Sequence, residues 1–330
     1  MAILGVLVAL LAAGVLYQRI GGRRDAGRFA APGALIDVGG HRLHVTSSGD
    51  GSPAVLLDSG LAASSLSWAV VQPEIAKFTR VWAYDRAGFA WSDVPSCPRT
   101  FDRIVDEFSA VLTHVASREP CILVGHSFGS FIVRAYARRH PEAVAALVLV
   151  DPPTVWLTLT SERARLLRRG RRLSRVGALL AHVGIVRASL ALLTGGAPGG
   201  PRRIVKVLGP TAARTLERLV GEVRKLPPEV YPVLQSFWSQ PKCFDAMAGH
   251  LLTLERDGAA IVNAVSSCEV PVVVISSGDQ PPEQLDAHRM LAEASAGGRH
   301  VIAARSAHWV QFDEPELVVA VIKGIVDAHR

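Results

Sequence analysis

Cys121-Ile122-Leu123-Val124-Gly125-His126-Ser127-Phe128-Gly129-Ser130-Phe131-Ile132 joins a short apolar run to a Gly-x-Ser-x-Gly turn and then to a helical pattern. A run of Ile, Leu and Val without polar alternation reads as a strand buried on both faces, as in a parallel sheet. Beyond the turn, Phe131, Ile132, Ala135 and Tyr136 recur at helical spacing and predict a helix over Phe128–Arg139. A serine on a strained turn between such a strand and helix stands exposed at the end of the sheet. Small residues two before and two after it, Gly125 and Gly129, let neighbouring backbone approach. The helix N-terminus favours the negative charge that develops in acyl transfer. Ser127 is therefore the candidate nucleophile.

Outward from this turn, short apolar runs alternate with longer helical patterns, the signature of a mostly parallel α/β sheet flanked by helices. Strands are predicted at His41–Ser47, Ala54–Asp58, Val81–Tyr84, Cys121–Gly125, Ala146–Val150, Val272–Ser276 and His300–Ala303. Helices are also predicted over Phe101–Ser117 and Pro315–Ala328; in the latter, Leu317, Val318, Val321, Ile322 and Ile325 share one face. About 120 residues without a strand-like run separate Val150 from Val272, far more than a simple crossover needs. The expected division is an apolar segment over 1–20, a linker over 21–34, a core over 35–152, an inserted helical cap over 153–268, and the rest of the core over 269–330.

A serine hydroxyl needs a base to take its proton, and a third group to orient that base. In this strand–turn–helix setting the chain order is Ser, acid, His. Among eleven histidines, His308 follows the last predicted strand in the loop Ser306-Ala307-His308-Trp309 and precedes the final helix, so it is the expected base. His126 adjoins the serine, but neighbouring side chains on a tight turn point apart. For the acid, Asp279 in Ser276-Ser277-Gly278-Asp279 follows the penultimate strand and is preferred; Asp151, at the end of Leu147–Val150, is the alternative. Asp313 is read as a cap for the last helix. The oxyanion hole should use the N–H groups of Phe128 and of Leu61, in the loop after Ala54–Asp58.

These stretches resemble the α/β-hydrolase superfamily, in its serine esterase-like branch with a helical cap. The resemblance runs from about Leu35 to the C-terminus. It is carried by Leu57-Asp58-Ser59-Gly60, Tyr84-Asp85-Arg86-Ala87-Gly88-Phe89-Ala90-Trp91-Ser92, the serine turn, Leu149-Val150-Asp151-Pro152 and His308–Pro315. Ser59 stands where many members carry His, Ala90 where Gly is usual, and Pro281 where many carry the acid. Members with an Asp nucleophile, the epoxide hydrolases and haloalkane dehalogenases, are disfavoured by Ser127. The resemblance implies hydrolysis of a hydrophobic ester or thioester without a cofactor. The alternatives are C–C bond or amide cleavage by the same residues, or a non-catalytic ligand-binding homologue.

Composition bounds the partners. The chain is 49% hydrophobic and 20% charged, which suits a packed core and argues against disorder. Only 6% of residues are aromatic and no nucleic-acid-binding motif accompanies the basic residues, so nucleic acid is not expected. Cys97, Cys121, Cys243 and Cys268 are scattered without a C-x-x-C pair, so no zinc site is expected. Cys121 opens an apolar run and is read as a buried thiol. The net charge is +7, yet Ser161–Lys225 holds fifteen Lys and Arg against three Glu, so the remainder is net acidic. That segment is either a solvated helical face or a surface for anionic lipid headgroups. Ala2–Tyr17 is uninterruptedly apolar, with Arg19, Arg23, Arg24 and Arg28 behind it. Residues 2–20 are therefore expected to anchor the chain in a membrane with the main domain in the cytoplasm; the alternative is a secretory signal. Trp156, Leu157, Phe237 and Trp238 are candidates either for an acyl pocket or for the interior of the cap.

Overall fold

The computed structural model describes residues 1–115, 119–153, 160–194, 225–265 and 269–330. A helix, α1 (Ala2–Arg28), precedes an antiparallel pair, β1 (Ala34–Asp37) and β2 (Arg42–Ser48). There follow β3 (Val55–Asp58), α2 (Gln72–Ile75), β4 (Val81–Tyr84), α3 (Phe101–Val115), β5 (Cys121–His126), α4 (Phe128–Arg139) and β6 (Val144–Val150). The described chain between β6 and β7 is helical: α5 (Ser161–His182), α6 (Ile185–Thr194), α7 (Tyr231–Trp238), α8 (Pro241–Arg256) and α9 (Gly258–Ala264). The core closes with β7 (Val272–Ser277), α10 (Pro282–Glu293), β8 (Arg299–Ala303), α11 (Val310–Asp313) and α12 (Pro315–Ala328).

The eight strands form one sheet in the order β1-β2-β4-β3-β5-β6-β7-β8. β1 and β2, and β2 and β4, run antiparallel; the remaining neighbours run parallel. Continuous apolar runs arise because central strands are covered on both sides. On β5, Leu123 faces a layer with Phe108 of α3 and Ile132 of α4, whereas Ile122 and Val124 face a layer with Val318 and Ile322 of α12. Burying each such side chain contributes roughly 1.5–3 kcal/mol, so the middle of the sheet is the rigid platform for the loops at its C-terminal edge.

Two expectations change. β1 escapes prediction because it is a short edge strand with only Ile36 buried. The stretch read as a linker, 21–34, is helical as far as Arg28. Glycine in a helix costs roughly 1 kcal/mol relative to alanine, but Gly21 leaves room for the Arg187 guanidinium, whose Nε lies 2.7 Å from where a Cβ would stand. Tertiary contact overrides the local composition there. Cys121 is buried, and burial pushes its thiol up to about 11. Cys97 and Cys243 are also free thiols, while Cys268 lies outside the described residues.

Candidate active site

Ser127 occupies the hinge between β5 and α4 at φ +50°, ψ −118°, a left-handed conformation that a non-glycine residue adopts only at a cost of order 1–3 kcal/mol. The hinge is tight because its flanks are small. A Cβ on Gly125 would stand 2.7 Å from the Gly129 carbonyl carbon, and one on Gly129 would stand 2.6 Å from the Asp58 carbonyl oxygen. Either added methyl group would push backbone against backbone and move the serine.

His308, in the loop after β8, brings its Nε2 to 3.0 Å from Ser127 Oγ. Its Nδ1 donates to Asp151 Oδ2 at 2.6 Å. Asp151 follows β6 at φ +44° and is 1% exposed, against 35% for the His308 side chain. Burial alone would raise its carboxyl. Hydrogen bonds from His308, from the Ser277 N–H (3.0 Å) and from Gln280 Nε2 (2.8 Å) outweigh it and hold the pKa below the usual carboxylate value. A carboxylate at Nδ1 favours the tautomer that carries its proton there and turns the Nε2 lone pair toward the serine.

Asp279, the preferred acid from sequence, is not brought to His308. Its Oδ1 accepts from Ser277 Oγ at 2.8 Å. The turn after β7 presses Gly278 against Ala304, and the side chains that reach Asp151 from here are those of Ser277, whose Oγ also donates to Asp151 Oδ1 at 3.2 Å, and Gln280. Asp313 does not cap α12, whose N-cap is Glu314. Instead its Oδ2 accepts from the Ala307 N–H at 3.0 Å, and its Oδ1 pairs with Lys225, steadying the loop that carries His308. Phe237 is buried and meets Trp91 edge to face at 4.8 Å, which places it in packing; Trp156 and Leu157 lie outside the described residues.

Leu61 and Phe128 flank the serine. Phe128 is the first residue of α4, so its N–H lies ahead of the helical ladder. The turn bearing Leu61 lies alongside, since a Cβ on Gly60 would stand 3.4 Å from Ser127 Cβ. This turn is set from behind by Arg86, a residue of the stretch Tyr84–Ser92 whose role does not show in the sequence. Its guanidinium donates to the carbonyls of Ser59 (2.7 Å) and Gly60 and to the Asp58 carboxylate, all buried. In a trans peptide the N–H points opposite the carbonyl, so holding Gly60 O aims the Leu61 N–H away from Arg86. Burial raises the Asp58 carboxyl, and the Arg86 charge offsets part of that. Breaking one side of a buried pair costs about 3–5 kcal/mol. Arg86→Met is accordingly expected to lose roughly that much in urea unfolding, whereas Asp50→Ala, which cuts the exposed Arg80–Asp50 pair, should lose under about 1 kcal/mol.

His126, beside the nucleophile, turns under the His308 loop. Its Nε2 donates to the His308 carbonyl at 2.9 Å, and its ring packs on Trp309 at 4.9 Å. Burial, with the neighbouring His308, pushes its imidazole down to about 3. A histidine depressed in the folded state leaves stability unchanged above the ordinary value of about 6.5. Below that the unfolded chain takes up the proton first, and stability falls by about 1.4 kcal/mol per pH unit down to about 3. His126→Gln, which keeps a donor and does not titrate, should reduce the slope of urea stability between pH 6 and pH 4 by about that amount; an unchanged slope would contradict the buried neutral imidazole.

Comparison with known proteins agrees with this architecture. A family model described as the alpha/beta hydrolase fold matches residues 53–174. A 2-hydroxymuconate semialdehyde hydrolase from Pseudomonas sp. (strain CF600) is 37% identical over 131 residues, which is 39% of this chain and 46% of that protein. The first curated relatives are each matched over less than half of their own length. Among solved structures, the epoxide hydrolase CorEH superposes with a TM-score of 0.63 at 17% identity, covering 90% of this chain and 99% of that one. An esterase from Thermogutta terrifontis superposes with a TM-score of 0.60 at 19% identity, covering 86% and 92%. At these identities the superpositions speak for the fold.

Proposed function

Because this chain has the α/β-hydrolase fold, we propose that it is a serine hydrolase that cleaves a carboxylic ester or thioester of a hydrophobic acyl group. The observation that carries this reading is the unbroken line from Ser127 Oγ to His308 Nε2 and from His308 Nδ1 to Asp151. Ser127 attacks the acyl carbon while its proton passes to His308 Nε2. The tetrahedral oxyanion is held by the N–H groups of Leu61 and Phe128. Collapse breaks the bond to the alcohol or thiol, which leaves with the proton from His308. Water, deprotonated by the same imidazole, attacks the acyl-enzyme and releases the acid and Ser127. Asp151 holds the imidazole's tautomer throughout.

The relative from Pseudomonas, named for the hydrolysis of a semialdehyde, favours a second reading in which the same residues cleave a C–C bond. Epoxide opening does not suit this site. A serine attacking an epoxide would leave an ether that water does not readily cleave, whereas a carboxylate nucleophile leaves an ester.

The deciding experiment incubates the full chain with a fluorophosphonate probe. The same protein is then assayed on p-nitrophenyl esters of rising acyl length and on a dienol substrate with a scissile C–C bond. Covalent labelling with ester turnover supports the first reading, and labelling with turnover of the C–C substrate alone supports the second. A folded protein that neither labels nor turns over would sink both and leave a ligand-binding homologue.

A further inference from the structure

Helix α1 is long and apolar enough to cross a membrane, and its exposed side chains, among them Ile3, Leu4, Val6, Leu7, Leu10 and Leu11, lie around its whole circumference. From Gly14 onward the helix is no longer free. Gly14 packs on the backbone of Val183, in the turn joining α5 to α6, and a Cβ on Gly184 would stand 2.6 Å from the Gly14 carbonyl oxygen. One turn later Gln18 is buried: its Nε2 donates to the Ser239 carbonyl at 3.0 Å, and its Oε1 accepts from Arg187 Nε at 3.0 Å. Arg187 also pairs with Asp25 at 2.7 Å. These contacts fix the direction in which α1 leaves the inserted helices.

Leu16, Tyr17 and Ile20 of α1 remain exposed, and Tyr17 borders the α5–α6 turn, where a Cβ on Gly184 would stand 3.0 Å from its Cδ1. An apolar medium that receives α1 as far as Tyr17 therefore reaches the turn as well. The residues that flank it, Val176, Leu179 and Leu180 before and Ile185 after, are themselves exposed, Leu179 at 67%. Patches of this kind mark a partner or membrane surface. Toward the start of α5 exposed arginines enter, Arg165, Arg169, Arg172 and Arg175, with Leu166 and Leu173 exposed among them.

We propose that the α5–α6 turn is immersed in the hydrocarbon of an anionic leaflet beside α1, with the α5 arginines among the lipid phosphates. A lipid bilayer fits better than a second protein. A helix that is apolar all round calls for a surrounding apolar medium, which a protein partner covering one face does not supply. The arginine band beyond the apolar turn matches the charge order of an anionic headgroup layer above hydrocarbon.

The test places an environment-sensitive fluorescent amino acid by amber suppression at Leu180, at Leu7 or at Arg138 of the full chain. Each protein is then mixed with vesicles of phosphatidylcholine containing phosphatidylserine. Blue-shifted emission and a several-fold loss of iodide quenching at 180 and 7, with neither at 138, is the expected result. If 7 is shielded while 180 stays as quenchable as 138, the helix inserts alone and the proposal falls. It falls equally if 180 is already shielded without vesicles, which would mean a second copy covers it, or if no position is shielded. Arg165→Gln combined with Arg169→Gln should weaken binding to phosphatidylserine vesicles by roughly 5-fold for each charge removed. Unaltered binding would overturn the headgroup assignment. None of these readouts depends on turnover, so they stand or fall apart from the hydrolase reading.

Discussion

Ser127→Ala is expected to abolish fluorophosphonate labelling and to lower ester turnover by about 10⁶-fold, the loss seen when the nucleophile of a serine–histidine–acid set is removed. The size follows from chemistry. Without Oγ there is no acyl-enzyme, and the remaining acceleration of about 10³–10⁴ over water comes from the oxyanion donors and from binding. Folding should be untouched or slightly improved, because alanine is smaller and the left-handed φ of +50° strains both residues alike. Circular dichroism and the urea midpoint check that point. Persistent labelling of the alanine variant would remove Ser127 from the reaction. A drop of only about 10-fold would mean that turnover does not pass through an acyl-enzyme at this residue.

Much of this architecture was legible before any coordinates, and the physical reason is burial. Strands covered on both faces must be apolar throughout, so β3, β5, β6 and β7 announce themselves as unbroken runs. Helix α12 shows through the spacing of Val318, Val321, Ile322 and Ile325, all buried. What was not legible depends on tertiary contact. The extension of α1 through Gly21 and Gly22 rests on Gln18, Asp25 and Arg187, whose partners are distant in sequence. The place of His126 under the His308 loop depends on a turn whose neighbouring side chains part, one to the base and one to the base's backbone. Arg86 offered one signal: an arginine just after a strand, in a chain whose buried Asp58 needs a counter-charge.

The acid is where pattern alone fails most clearly, and the second large effect is expected there. β6 and β7 are parallel neighbours, paired from Leu147 with Val272 to Val150 with Ile275, so their C-terminal ends lie side by side at the same edge. Either end can carry a carboxylate to a histidine in the next loop, and sequence spacing does not choose between them. The choice is made by side-chain direction. Asp151, at φ +44°, turns its carboxylate toward His308, while Asp279 is turned to the Ser277 hydroxyl, which lies between the two carboxylates. Asp151→Asn is therefore expected to lower turnover by about 10⁴-fold with little change in KM, since an amide facing Nδ1 stabilises the wrong tautomer and cannot balance the imidazolium. Asp279→Asn should change turnover by less than about 3-fold, because the group it replaces touches neither the base nor the serine and an Asn oxygen still accepts from Ser277. Gln280→Glu adds a sharper control. It would set a second carboxylate against Asp151 Oδ2, where Gln280 now donates at 2.8 Å, and like charges at that range raise the pKa of one of the pair. Its activity should fall as pH rises and that shared proton is lost, while Asp279→Asn keeps the wild-type profile. Should Asp279→Asn instead lose activity by orders of magnitude while Asp151→Asn keeps it, the acid would belong to β7 and the carboxylate beside His308 would be structural.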